Sequence, residues 1–151
     1  MSIDPTVVGR TYGSQRPYDV GREKVREFAE SIGDPRAEYV APDAEAPLAP
    51  PTFAFVLTLD GWHAIMADLG IEFARVLHVD QRFVIHRSIR VGDVISGNAV
   101  IESVRERMGM SWLVIRTDIT TASEEHVAST YSTILVRADE PADAHASTDR
   151  A

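Results

Sequence analysis

The apolar and polar positions divide the chain into a first half with helical spacing and a second half that alternates. A short strand is predicted around Thr11 to Tyr18. Asp19 then precedes GREKVREFAESIG, where Val25, Phe28, Ala29 and Ile32 recur at helical spacing. This predicts a helix over about Val20 to Ile32, with Asp19 or a neighbour capping its first turn and Gly33 stopping it in a left-handed conformation. Asp34 to Pro51 holds five prolines, at 35, 42, 47, 50 and 51. That stretch is expected to form neither a helix nor a central strand, but a long loop of the kind that often carries function. Pro50-Pro51-Thr52 opens the next apolar segment, TFAFVLTLDGWHAIMADLG. Proline suits a first helical position, and Phe53 to Leu59 is apolar nearly all round, so a buried helix is expected, with Gly61 as the point of a break or bend.

Beyond Gly70 the pattern turns to strands. Val76 to Arg90 places Phe83, Ile85 and Ile89 on an alternating face, and Gly92-Asp93 signals a turn. Val94 to Arg107, Met110 to Thr121 and His126 to Arg137 follow, separated by Met108-Gly109 and Ser123-Glu124-Glu125. The three read as an antiparallel meander. Strands this long are usually strongly curved, and the buried helix is what they would wrap. The expected fold class is α+β, with a curved antiparallel sheet around one central apolar helix.

Composition narrows the function classes. The chain has 151 residues, with 15 lysines and arginines against 23 aspartates and glutamates, a net charge of −8, and no cysteine. The length fits one domain able to bury roughly 68–70% of its unfolded surface. Without cysteine there is no disulfide framework, thiolate zinc site or cysteine nucleophile. The acidic balance argues against a nucleic-acid partner, since that affinity comes mainly from neutralising phosphates. No apolar run approaches the ~20 residues that span a bilayer, and Met1 to Arg10 does not read as a signal peptide. A cytoplasmic protein is expected. The segment 138–151, ADEPADAHASTDRA, has four acids and one base and no large apolar residue, so it is read as a flexible acidic tail after a domain spanning 1–137.

Several residues carry candidate chemistry. Asp34 stands at the mouth of the proline-rich loop, as a cleft carboxylate or as a turn-supporting aspartate. Tyr39 is either a hydrogen-bond donor to a ligand carbonyl or an anchor for the loop. Pro51, Thr52 and Phe53 begin the central helix, where backbone N–H groups and the helix dipole can hold an oxyanion, although two prolines remove two donors. His63, His78, His86, His126 and His145 show no metal-ligand spacing, and no metal or cofactor is expected. Arg82, Arg87 and Arg90 form a basic stretch that would meet the phosphates of a nucleotide-tailed or phosphopantetheine ligand, or else a solvated face.

FAESIGDPRAEY (Phe28 to Tyr39), APPTFAF (Ala49 to Phe55), QRFVIHRSIRVGDV (Gln81 to Val94) and HVASTYSTILVRA (His126 to Ala138) together make the chain resemble the MaoC-like hot-dog dehydratases and hydratases. Within these it is similar to the small subunits of type II (3R)-hydroxyacyl-acyl-carrier-protein dehydratase. The resemblance runs from about Thr6 to Val136 and implies a single hot-dog fold. In catalytically complete members the loop reads G-D-x-N-P-x-H. The aspartate and histidine move the proton in hydration of a trans-2-enoyl thioester, and N–H groups at the central helix start polarise the thioester carbonyl. Asp34 matches the aspartate, Arg36 stands at the asparagine, Ala37 at the proline and Tyr39 at the histidine. Tyrosine, titrating near ~10, is a poor base at neutral pH. The proline pair replaces a histidine-glycine pair at the helix start.

The resemblance therefore implies a non-catalytic subunit of a dehydratase used in fatty-acid or related acyl-chain synthesis. It would bind the acyl chain and support a catalytic hot-dog partner. Pro51, Thr52, Phe53, Phe55 and Val56 are the expected substrate-binding positions, with Leu59, Trp112 and Tyr131 as further candidates for the channel wall. Asp34 would be a catalytic remnant. The expected ligand is an acyl-carrier-protein or coenzyme A thioester, in a heterodimer with a catalytic subunit or in a homodimer. Two alternatives stay open: a self-sufficient homodimeric hydratase using Asp34, and a non-enzymatic acyl-thioester binding module.

Overall fold

Val25 and Ala29, both fully buried, set the face on which the first helix, α1 (Arg22–Ser31), packs in the computed structural model, which describes residues 2–137. The predicted acidic tail, 138–151, lies outside the described residues. Asp19 does not cap α1. It belongs to a two-residue strand, and the capping position falls to Gly21, which makes no side-chain bond. The helix end is as expected: Gly33 has φ +71°, its N–H donates to Glu30 O at 3.0 Å, and the Asp34 N–H donates to Ala29 O at 2.9 Å. These two bonds fix where the chain leaves the helix, and so where Asp34 sits.

The predicted first strand splits into β1 (Thr11–Gly13) and β2 (Tyr18–Asp19), both paired with the same long strand. Between them the Ser14 hydroxyl donates to Gly97 O at 2.8 Å and accepts the Gly97 N–H at 2.9 Å, and Pro17 has no N–H to offer a ladder. The proline-rich loop holds one turn of helix, α2 (Ala37–Val40), in its proline-free window. It closes on itself where Leu48 N–H meets Glu38 O at 2.9 Å, and it is tied to the body where Ala49 N–H meets Ile89 O at 2.8 Å and Val91 N–H meets Pro47 O at 2.9 Å.

The central segment is not one α-helix. Pro51–Thr58 winds as a 3-10 helix, and α3 runs Leu59–Leu69. Gly61 lies inside α3 and does not break it. It lets the helix touch the sheet, because a Cβ there would stand 2.5 Å from the Ala99 Cβ. Gly70, with φ +62°, ends α3.

Four long strands follow: β3 (Val76–Ile85), β4 (Val94–Arg107), β5 (Met110–Thr121) and β6 (His126–Val136). The sheet order is β1-β4-β5-β6-β3, with β2 also on β4. The meander is β4-β5-β6, while β3 closes beside β6 at the far edge, and its other side meets no strand among the described residues. β3 stops at Ile85, not Arg90, because the His86 and Arg87 N–H groups both turn to Val127 O, at 2.9 and 3.2 Å. A single α+β unit results, an open antiparallel sheet of six strands curved around the central helix.

The sheet's inner face feeds two apolar clusters. Phe53, Val25, Ala29, Tyr39, Ile95 and Ile119 fill one, beside α1. Trp62, Ile65, Ile101, Leu113, Ile115 and Ile134 fill the other, under α3. Strand alternation puts Trp112 and Tyr131 on the opposite face, between the buried residues Ser111 and Leu113 and between Thr130 and Ser132. They are therefore not walls of a channel along the central helix. Tyr131 lies under the Arg82 guanidinium, 3.8 Å from the ring centroid.

At the β1 side, Asp68 of α3 accepts from the Tyr12 hydroxyl at 2.7 Å and the Arg10 guanidinium at 2.9 Å, and these bonds hold its carboxyl below the ordinary aspartate range. A depressed folded-state value contributes stability above the unfolded value, near ~4, and loses it as pH falls through the folded one. Asp68→Asn is therefore expected to flatten the dependence of the urea midpoint on pH below ~4 while leaving its slope near neutrality unchanged.

Candidate active-site loop and cleft

Asp34 and Tyr39 are five residues apart, and the turn of α2 brings them to one cation. Arg36 Nε donates to Asp34 Oδ1 at 2.7 Å and Nη2 to Asp34 Oδ2 at 2.8 Å, a two-point fork. The same Nη2 donates to the Tyr39 hydroxyl at 2.6 Å, and the guanidinium carbon lies 4.8 Å from the Tyr39 ring centroid. Glu38 adds a contact at 3.3 Å. The Asp34 bonds raise the Arg36 pKa above its already high ordinary value, so the cation is permanent. Tyr39 is only 4% exposed, and burial pushes its phenol above the ordinary tyrosine value. A phenol raised from ~10 keeps its proton at neutral pH. The loop thus presents a carboxylate already held at both oxygens and a hydroxyl that cannot serve as a base. Arg36 joins the two candidate residues, a part that the sequence showed only as a departure from a motif. The signal was present in D-P-R, where a cation two residues after a carboxylate is within reach of a fork.

The start of the central segment offers fewer donors than expected. Pro50 and Pro51 have no N–H, and the Phe53 N–H is taken by Pro50 O at 2.8 Å, which leaves the donor role to Thr52. Phe53 is fully buried, with its ring edge-on to Phe28 at 5.4 Å and Tyr18 at 6.3 Å, so it offers a ligand no surface. Val56 is half-buried against the same cluster, and Leu59 is exposed. Thr52 and Phe55 do meet a common space. With Phe28, Ile32, His78, Gln81 and Phe83 they line an apolar cleft of 480 Å³ between α1, the 3-10 turn and the inner side of β3.

His78, set aside at the sequence level because it lacked metal spacing, is the imidazole of this cleft. Its ring, exposed at the cleft's rim, stacks on Phe55 at 5.5 Å and stands perpendicular to Trp62 at 5.0 Å. The basic stretch does not converge here. Arg87 is forked onto Asp93 and Glu125, with contacts of 2.7 and 2.9 Å, and Arg82 lies over Tyr131 on the outer face.

The family described as "FAS1-like, dehydratase domain region" matches residues 6–130. A UPF0336 protein of Streptomyces avermitilis is 38% identical over 148 residues, covering 93% of this chain and 99% of that protein. Among solved structures, a chain of the C-terminally truncated HadBC (3R-hydroxyacyl-ACP dehydratase) complex from Mycobacterium tuberculosis superposes with a TM-score of 0.78 at 28% identity. The match covers 89% of this chain and 99% of that one. The R-hydratase PhaJ1 from Pseudomonas aeruginosa shares the fold, with a TM-score of 0.62 at 14% identity over 89% of each chain. No helix of the described residues is long and apolar enough to cross a membrane. A single open sheet around a central helix, matched along most of its length by the dehydratase-domain profile, places this chain in the FAS1-like dehydratase-domain family, with the hot-dog fold of the MaoC-like dehydratases.

Proposed function

We propose that the chain is the acyl-binding subunit of a heteromeric hydro-lyase acting on (3R)-hydroxyacyl thioesters of acyl carrier protein or coenzyme A. In that reaction a base takes a proton from C2, the C3 hydroxyl leaves as water with a returned proton, and a trans-2 double bond forms. A partner hot-dog subunit carrying the complete aspartate–histidine pair supplies the base and acid. This chain supplies the apolar wall of Thr52 and Phe55 and a surface that supports the partner. A cytoplasmic enzyme of acyl-chain synthesis, with residues 1–137 as its hot-dog unit, is the setting that fits.

The observation that carries this reading is the Arg36 fork on Asp34, together with Tyr39 buried where an imidazole would stand. Both Asp34 oxygens are engaged by the Arg36 guanidinium rather than turned to a substrate, and a protonated phenol accepts no proton. The 28% identity to a chain of a complex named for (3R)-hydroxyacyl-ACP dehydratase activity supports a two-subunit enzyme.

Hydration of a crotonyl thioester, followed by loss of enoyl absorbance, tests it. The purified chain is expected to stay at background. Mixed with a hot-dog subunit bearing G-D-x-N-P-x-H, it is expected to raise that subunit's turnover at least tenfold, and Asp34→Asn is expected to leave the mixture's rate within about twofold. Full turnover by the chain alone, abolished in Asp34→Asn, would instead establish the self-sufficient hydratase.

A further inference from the structure

His78 occupies a more constructed position than a cleft-wall residue requires. β3 carries a bulge between His78 and Asp80, where its register against β6 shifts by one residue. His78 and Gln81 are three apart, a spacing that in a regular strand puts side chains on opposite faces. The bulge brings both to the cleft side, His78 opposite Ile134 and Gln81 opposite Ser132. Bulges commonly re-aim a side chain beside a working site.

The hydrogen bonds then determine which ring nitrogen carries the proton. His78 Nε2 lies 3.1 Å from Asp80 O and 3.2 Å from Gln81 Oε1. A backbone carbonyl only accepts, so Nε2 must donate. Gln81 Oε1 is itself fixed as an acceptor by the hydroxyl of Ser132, which is 1% exposed, at 2.7 Å. A neutral imidazole with its proton on Nε2 has an acceptor lone pair on Nδ1. Nδ1 has no hydrogen-bond partner among the described residues. Phe55 stacks on the ring and Trp62 stands perpendicular to it. The cleft is otherwise lined by Phe28, Ile32, Thr52, Phe55 and Phe83, with Gln81 already engaged.

We infer that His78 is the specificity residue of the cleft, its Nδ1 accepting a hydrogen bond from a hydroxyl on the bound acyl chain. The cleft would thus distinguish a hydroxyacyl thioester from the saturated thioester of equal length. The inference rests on the proposed acyl-thioester ligand. Within it, the Gln81 Oε1 that accepts from both Ser132 and His78 sets the ring's tautomer, and this chain takes the recognition of the substrate's hydroxyl, apart from proton transfer. His78 is exposed, so against an analogue without the hydroxyl its Nδ1 bonds water instead, and the preference is the modest net gain of one hydrogen bond.

Calorimetric titration of the full chain with 3-hydroxybutyryl- and butyryl-coenzyme A reads this directly. Wild type is expected to bind the hydroxy form about fivefold more tightly, the effect of one net hydrogen bond. His78→Phe keeps the ring contacts and removes the acceptor, and is expected to bind both ligands alike. His78→Asn places a carbonyl oxygen near the Nδ1 position and is expected to recover part of the preference, provided that its unfolding midpoint shows a folded chain. A wild type that binds both thioesters equally, or a His78→Phe variant that keeps the preference, overturns the inference and leaves the proposed function standing. Binding of neither thioester overturns both.

Discussion

Phe53→Ala is expected to lower the unfolding free energy by about 3–5 kcal/mol, read as a fall in the urea midpoint with little change in slope. The ring is fully buried and is gripped edge-on by Phe28 from α1 and Tyr18 from β2. Truncation removes the apolar surface of a whole ring and leaves a cavity that three separate elements would have to move to close. Total stabilities are commonly ~5–15 kcal/mol, so the variant would stand near the edge of folding. A loss below about 1 kcal/mol would mean that Phe53 faces a ligand space rather than the core, as the sequence alone had suggested.

Gly97→Val is expected to cost at least about 3 kcal/mol, for the opposite reason. A Cβ at position 97 would lie 2.5 Å from Leu57 O and 3.2 Å from Thr117 Cγ2. The first of these is backbone, so relief requires moving the 3-10 turn. Thr52 and Phe55 line the cleft from that same turn. The variant is therefore expected to lose thioester affinity along with its lowered melting temperature. A stable variant with unchanged binding would show that the turn is not seated on the sheet at Gly97.

The bounds of β4 and β5 were legible because alternation is a local signal and the turns between the strands carry their own marks. Met108 and Gly109 both take positive φ, the conformation a tight hairpin demands. The partner of β3 was not legible. Val76 to Ile85 precedes β4 in sequence, yet it pairs with β6, a choice made by closure of the sheet around the helix and not by any neighbouring residue. The 3-10 winding of Pro51–Thr58 was equally hidden. It follows from how closely Leu57 approaches Gly97, a contact across forty residues.

At the candidate site, Asp34 and Tyr39 were found by motif, and their positions follow from the left-handed Gly33 and the turn of α2. What they do there depends on Arg36, whose reach is a side-chain matter. Phe53 was read as a wall because a run of apolar residues does not say which face is inside. Thr52 and Phe55 on one side and Phe53 on the other are separated only by the winding of the turn. His78 was weighed only as a metal ligand, because its place at the cleft needs the bulge, and a bulge shows in sequence only as a break in alternation that many strands tolerate.

The unpaired side of β3 has a colloidal consequence. An edge strand offers a row of backbone donors and acceptors to any other chain, and this one adds Leu77 and Val79, each 47% exposed. The bulge at Val79 kinks that row, and Asp80 and Arg82 interrupt it with charges of both signs. A kinked, charged edge is poorly suited to stacking many identical copies, but it still suits one complementary strand. The same irregularity that re-aims His78 therefore acts as a safeguard against fibrous self-association.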